Sequence, residues 1–85
     1  MKSADRLKLV LEKMIIPHYD EISGVDVKVF GAMEVFFYEV TYFYNENMMP
    51  DRFVMRDVIK KTVSLFKMLG VERGSDINVL FVVKE

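Results

Sequence analysis

The sequence has 85 residues, of which 52% are hydrophobic and 29% charged, and this composition is typical of one small folded domain. Twelve basic and thirteen acidic side chains give a net charge of −1, so no overall positive field attracts nucleic acid or an anionic membrane. The absence of cysteine excludes disulfides, thiolate metal sites and cysteine nucleophiles, and the single histidine excludes a multi-histidine metal site within one chain. We therefore expect a single domain over residues 1–85 without a metal or cofactor.

The sequence contains no segment typical of a secretory signal or of a membrane span. Charged residues occupy the N-terminal segment, where a secretory signal would have an apolar stretch. The longest apolar stretch, residues 35–44, is interrupted by Glu39 and Thr41 and is much shorter than the roughly 20 residues that a spanning helix needs. These features predict a cytoplasmic protein that does not bind membranes.

The first half of the chain predicts a helix followed by a β-hairpin. Ser3 is a suitable N-cap, and apolar residues at helical spacing predict a helix over residues 4–16 that ends before Pro17. Val25 opens an alternating stretch that is typical of a half-buried strand. Gly31 and Ala32 then match the two central residues of a type II′ hairpin turn, and a second strand follows over residues 33–45.

The second half predicts a helix and a final strand. Asp51 is a suitable N-cap for a helix whose apolar stripe includes Ile59 and Phe66 and extends to Gly70. An alternating strand follows over residues 77–83. The order α-β-β-α-β predicts an α+β fold, a two-layer sandwich with a three-stranded mixed sheet and both helices on one face. We expect the second strand to lie centrally because both of its faces are apolar; the alternative order places the first strand in the centre.

This order of elements resembles the type II KH and BolA-like arrangements, and the resemblance spans the whole chain. In KH domains that bind nucleic acid, a Gly-x-x-Gly loop separates two helices before the last strand. Here one helix occupies that position without such a loop. BolA-type partnership with an iron–sulfur protein implies a histidine ligand, and His18 lies in a different segment. The resemblance therefore concerns the topology, and no functional residue is transferred from it.

The predicted hairpin register places large apolar side chains on the sheet face opposite the helices. A turn at Gly31 and Ala32 pairs Phe30 with Met33 and Val27 with Phe36, and directly paired residues share a face. A monomer would expose this second face to water, so we expect a second copy of the chain or another protein to cover it. The predicted oligomer interface consists of Phe30, Met33, Val35, Phe37, Phe43, Leu80 and Val82.

The second helix also carries a basic stripe that predicts an alternative function. Four-residue steps advance only about 40° around a helix axis, so basic residues at this spacing share one side. Such a stripe could contact phosphates, although a solvated helix face commonly has the same composition. The residues of the stripe are Arg52, Arg56, Lys60 and Lys67.

The sequence does not contain a recognisable catalytic set. His18 is followed by Tyr19, Asp20 and Glu21, but no serine or cysteine nucleophile is spaced to work with it, and an exposed loop histidine is the simpler interpretation. We therefore predict a non-enzymatic, homo-oligomeric interaction domain. The alternatives are a nucleic-acid-binding accessory protein with KH-like topology that uses the basic stripe, and, third, an enzyme whose site lies at a subunit junction.

Overall fold

A computed structural model of the protein describes residues 3–32, 35–71 and 76–84. The elements are α1 (Ala4–Met14), β1 (Ile22–Ala32), β2 (Val35–Tyr44), α2 (Arg52–Met68) and β3 (Asp76–Val83), with short 3-10 turns at Ile16–His18 and Glu46–Met48. The sheet order is β1-β2-β3; β1 and β2 are antiparallel and β2 and β3 are parallel. The predicted α+β fold, its mixed sheet and the central position of the second strand are confirmed.

The helix ends follow from local chemistry. The Ser3 side chain accepts a hydrogen bond from the amide of Arg6 at 3.2 Å, and the Asp51 side chain accepts one from the amide of Val54 at 2.9 Å. These side chains satisfy amide groups that have no partner inside the helix. The first helix ends at Met14, two residues earlier than predicted, and Pro17 lies in the 3-10 turn that follows.

The C-terminus of α2 ends in a Schellman motif, which requires a residue in the left-handed conformation. Gly70 takes that conformation with φ 88°. Its amide donates to the carbonyl oxygen of Lys67 at 3.1 Å, and the amide of Val71 donates to that of Phe66 at 3.0 Å. Val71 is buried, so the motif also directs the chain back into the core.

The core lies between the two helices and the inner face of the sheet. The ring of Tyr38 meets that of Phe66 edge to face at 5.7 Å, and the ring of Tyr42 stacks on that of Phe81 at 5.7 Å. Both helices therefore cover the same face of the sheet, as predicted. The buried apolar residues are Leu7, Leu11, Ile15, Ile22, Val25, Val27, Tyr38, Val40, Tyr42, Val58, Phe66 and Val71.

One buried hydrogen bond joins the sheet to α2. The Thr62 hydroxyl donates to the carbonyl oxygen of Val58 at 2.7 Å, so its single proton is used and the Tyr42 hydroxyl donates to Thr62 Oγ1 at 2.6 Å. Burial raises the pKa of Tyr42 to about 12. The polar atoms of this pair are thus satisfied inside an otherwise apolar layer, as buried polar groups must be.

The predicted turn at Gly31 and Ala32 is wrong. Both residues lie in β1, with Gly31 opposite Phe36 and Ala32 opposite Val35, and Phe30 pairs with Phe37 instead of Met33. The glycine serves a different purpose: a Cβ atom at Gly31 would lie 2.8 Å from the Phe36 ring. Glycine in a strand commonly marks such a close approach. The predicted pairing and the true pairing differ by an even number of residues, so the described side chains of the two strands keep their predicted faces.

The inward side of α2 also differs from the prediction in one position. The predicted apolar stripe includes Ile59, but that side chain is 38% exposed, whereas Thr62 is fully buried. A hydroxyl that is satisfied by Tyr42 and by the helix backbone can occupy the inner side, and Ile59 then points outward.

Phe66→Ala should lower the free energy of unfolding by about 3–5 kcal/mol, because it removes a fully buried ring and leaves a cavity beneath Tyr38. Ile59→Ala on the same helix is the matched control and should cost less than about 1 kcal/mol. Urea denaturation of the two variants measures both values. Equal losses would contradict the assigned orientation of α2.

Candidate interaction site

The candidate site is the outer face of the sheet, which we define as the side opposite the helices. Side chains alternate along a strand, so the residues between the buried positions of β1 and β2 must point to this side. Four of its large apolar side chains are substantially exposed: Phe30 at 51%, Phe37 at 41%, Leu80 at 45% and Val82 at 42%. Phe43 lies on the same face and is partly buried.

The structure places the predicted interface residues as follows. Phe30, Phe37, Phe43, Leu80 and Val82 all lie on the outer face, as the sequence predicts. Met33 lies outside the described residues, and so does the side chain of Val35. The position of these residues is observed, and the interface itself stays a prediction.

Pairing across the strands divides the outer face into two apolar ends. At one end Phe30 lies opposite Phe37, and we call this pair the phenylalanine end. At the other end Phe43 lies opposite Val82, with Leu80 two residues before Val82 on β3, and we call these three residues the mixed apolar end. Neither end is covered by another element among the described residues.

A polar band separates the two apolar ends. Lys28 lies opposite Glu39, and Asp26 lies opposite Thr41, so charges of both signs occupy the middle of the face. Asn78 continues the band on β3, opposite Glu39. Opposite charges in directly paired positions stabilise a sheet modestly, and they also restrict how another surface can be placed against it.

The basic stripe on α2 lies on the solvent side of the helical layer. The side chains of Arg52, Arg56, Lys60 and Lys67 are all exposed. Phe53, which follows Arg52 in the chain, is 69% exposed, and the Arg52 guanidinium lies 5.9 Å from the centre of its ring. The stripe and the outer face are therefore on opposite sides of the molecule.

The helical side carries a polar cluster that the sequence does not predict. Tyr19 donates a hydrogen bond to the Asp57 carboxylate, and Lys61 Nζ lies 2.9 Å from Tyr19 Oη and 3.2 Å from Asp57 Oδ2. The Lys61 ammonium also lies 5.1 Å from the centre of the Tyr19 ring. Asp57 and Lys61 are four residues apart on one helix, a spacing that predicts an ion pair. Tyr19 is distant in the sequence, and only the fold brings it to them.

The electrostatics of this cluster indicate a structural role. Burial raises the pKa of the Tyr19 hydroxyl, and its hydrogen bond to Asp57 raises it further. The same bond, followed by that from Lys61, lowers the pKa of the Asp57 carboxyl. Tyr19 is therefore held neutral, which is the opposite of what an activated tyrosine requires. The cluster ties the segment after α1 to α2.

The described residues do not form a cluster of metal ligands, and the one histidine is exposed. His18 is exposed in the 3-10 turn. No group of three or more histidine, aspartate or glutamate side chains within the described ranges is arranged to hold a metal ion.

Between the end of α1 and α2 lies an open cleft of about 320 Å³, whose floor is formed by Ile15 and Leu65 and whose rim carries Lys60 and Lys61. Of the helices in the described ranges, none is long and apolar enough to cross a bilayer.

Comparison with known proteins identifies the fold. No protein-family model matches the chain, and no curated protein matches it. Among solved structures, the chain is similar to "MamB CTD magnetosome protein" from Desulfamplus magnetovallimortis BW-1, with a TM-score of 0.72 and 21% sequence identity. The alignment covers 95% of this chain and 91% of that chain. This similarity shows that both chains share the small α+β fold.

Substituting Tyr19 should make the stability of the protein less dependent on pH. Because the pKa of Asp57 is lower in the folded than in the unfolded protein, its contribution exists above the ordinary value of 3.8 and is lost as the pH falls through the folded value. The pKa of Tyr19 is raised, so its contribution exists below the ordinary value of 10.0 and is lost as the pH rises above it.

The urea midpoints of wild type and Tyr19→Phe should therefore differ by a constant amount between about pH 5 and pH 9. They should converge as the pH falls through the lowered pKa of Asp57 and as it rises through the raised pKa of Tyr19. His18→Phe, one position earlier in the chain, is the control and should not produce this pattern. A difference between wild type and Tyr19→Phe that stays unchanged while the carboxylates are protonated would contradict the coupling of Tyr19 to Asp57.

Proposed function

We propose that the protein is a non-enzymatic, homo-oligomeric interaction domain that associates through the outer face of its sheet. The observation that carries the proposal is the exposure of Phe30, Phe37, Leu80 and Val82 on a face that no helix covers. Soluble monomers seldom expose several large apolar side chains together, and such patches commonly mark protein contacts. The fold shared with the MamB domain is compatible with this function.

The energetics favour a covered face. Each large apolar side chain gains roughly 1.5–3 kcal/mol when it is fully buried, and a domain of this size has a total stability of about 5–15 kcal/mol. The four side chains are 41–51% exposed, so burying the remainder would contribute roughly 3–5 kcal/mol per copy, a substantial fraction of the stability of the domain. A second copy of the chain is the simplest partner, because small domains gain a shared core by closed symmetric association.

The polar band gives this association a preferred orientation. Asp26, Lys28 and Glu39 present both signs of charge between the two apolar ends. A second copy can place a carboxylate against an ammonium in only a few orientations, and the other orientations bring like charges together. The apolar ends thus supply affinity and the band supplies specificity.

Phe37→Asp should shift the oligomer toward monomer, because a carboxylate would have to lose its water at the contact. Phe53→Asp is the matched control: it makes the same substitution at a more exposed phenylalanine, on the helical side of the molecule. Sedimentation equilibrium should give an oligomer for the wild type and for Phe53→Asp, and mainly the 10.0 kDa monomer for Phe37→Asp.

A wild type that remains a monomer at high micromolar concentration would overturn the proposed self-association. An oligomer that Phe37→Asp leaves intact would show that association occurs through another surface. Circular dichroism of each variant should confirm that its fold is retained before its mass is interpreted.

Nucleic acid binding is the second candidate, and the exposed Phe53 beside Arg52 is the observation that favours it. Basic side chains would contact phosphates, and an exposed ring could stack on a base. Binding to a fluorescent single-stranded oligonucleotide should then weaken with salt, and Arg56→Gln should lower the slope of the logarithmic salt dependence by about one. Lys28→Gln on the outer face is the control. Absence of binding at low salt would exclude this candidate.

A further inference from the structure

The free edge of β3 lacks the features that normally prevent strands from pairing with other chains. β3 pairs with β2 on one side, and within the described ranges no strand lies on its other side. Residues 77–83 contain no charged residue, proline or glycine. The other edge strand, β1, carries Asp26 and Lys28 at its centre and contains Gly24 and Gly31. Charges and irregular positions protect an edge, so β1 is protected and β3 is not.

The inner side of β3 is also incompletely covered. Val25 and Val27, two of the inner residues of β1, are only 5% and 6% exposed, and Val29 next to them is partly buried. Ile77, Val79 and Phe81, the corresponding residues of β3, are only partly buried. The helices therefore cover the β1 side of the sheet more fully, and additional apolar surface beside β3 would complete the core at this edge.

The sequence of β3 is complementary to itself in the antiparallel direction. When Leu80 lies opposite Leu80 of a second copy, Asp76 of each copy lies opposite Lys84 of the other. Residues 77 and 79 then face residues 83 and 81, which are all apolar. Along a strand, every second residue turns its N–H and C=O groups toward the same edge. The sequence numbers of the two residues in each pair differ by an even number, so residues with outward backbone groups lie opposite one another. A parallel, in-register pairing would instead place like charges together.

We propose that two copies of the chain pair through β3, antiparallel and about a twofold axis at Leu80, so that their sheets join into one continuous sheet. This inference rests on the proposed self-association and assigns it a second contact, the edge of β3, which is separate from the outer face. The pairing satisfies the outward backbone groups of β3 and covers the partly buried Val79 and Phe81 of each copy. It also brings Leu80 and Val82 of both copies together, which doubles the outer face available for further contact.

Disulfide trapping tests this register directly, because the chain has no cysteine of its own. Directly opposite residues of antiparallel strands have Cα atoms about 4.5–5.5 Å apart, within the range that a disulfide can bridge. Leu80→Cys should therefore form a covalent dimer rapidly under mild oxidation. Asn78→Cys is the matched control on the same strand and face, since its two copies would lie about 13–14 Å apart.

Two further measurements identify the register. A mixture of the Asn78→Cys and Val82→Cys proteins should form the mixed dimer faster than either protein crosslinks with itself. Asp76→Lys and Lys84→Asp should each weaken dimerisation about tenfold by placing like charges opposite one another, and the double variant should restore it. Equal crosslinking of Leu80→Cys and Asn78→Cys, or no rescue by the double variant, would overturn the proposed pairing.

Phe30→Asp in the Leu80→Cys protein separates this inference from the proposed role of the outer face, because Phe30 lies on β1, at the far edge of the sheet. If the Leu80→Cys protein still crosslinks when it carries Phe30→Asp, and neither Phe30→Asp nor Phe37→Asp lowers the mass of the oligomer, the β3 contact is supported and the outer face is rejected. Loss of the oligomer in Phe37→Asp, without selective crosslinking through Leu80→Cys, would support the outer face and reject the β3 contact.

Discussion

The alternation of side chains along β2 is the constraint on which the rest of the structure depends. Tyr38, Val40 and Tyr42 turn toward the helices, so Phe37 and Phe43 must turn away from them. The chain has two helices in its described ranges, and both pack on the first set. A central strand that is apolar on both sides therefore has one face buried under the helices and one face exposed to water. The proposed association follows from this imbalance.

The polar contacts fix the positions of the helices on the sheet. The buried bond from Tyr42 to Thr62 sets the rotation of α2 on the sheet, and the cluster of Tyr19, Asp57 and Lys61 ties the segment after α1 to the same helix. In both places the tyrosine pKa is raised, so these hydroxyls stay protonated and serve as donors. The most distinctive features of the molecule are therefore surfaces, namely the outer face and the edge of β3, and surfaces are suited to recognition.

The element order, the strand order and the face of each strand residue could be predicted, because they depend on local periodicity and on caps such as Asp51. The hairpin turn could not be located, since a glycine suits both a turn and the close approach of a ring, and only the fold brings Phe36 against Gly31. Thr62 was missed because its hydroxyl is tolerated inside only when Tyr42 reaches it. The cluster at Tyr19 was missed for the same reason: its members are 38 residues apart in the chain.

The central claim about self-association is that the sheet continues into a second copy through the edge of β3, and amide hydrogen exchange at two protein concentrations tests it most directly. The claim predicts that the outward amides of β3 become protected as the concentration rises, while those of the charged edge strand β1 exchange at an unchanged rate. The claim would be contradicted if the β3 amides exchanged at the same rate at a concentration where the protein is a monomer and at one where it is an oligomer.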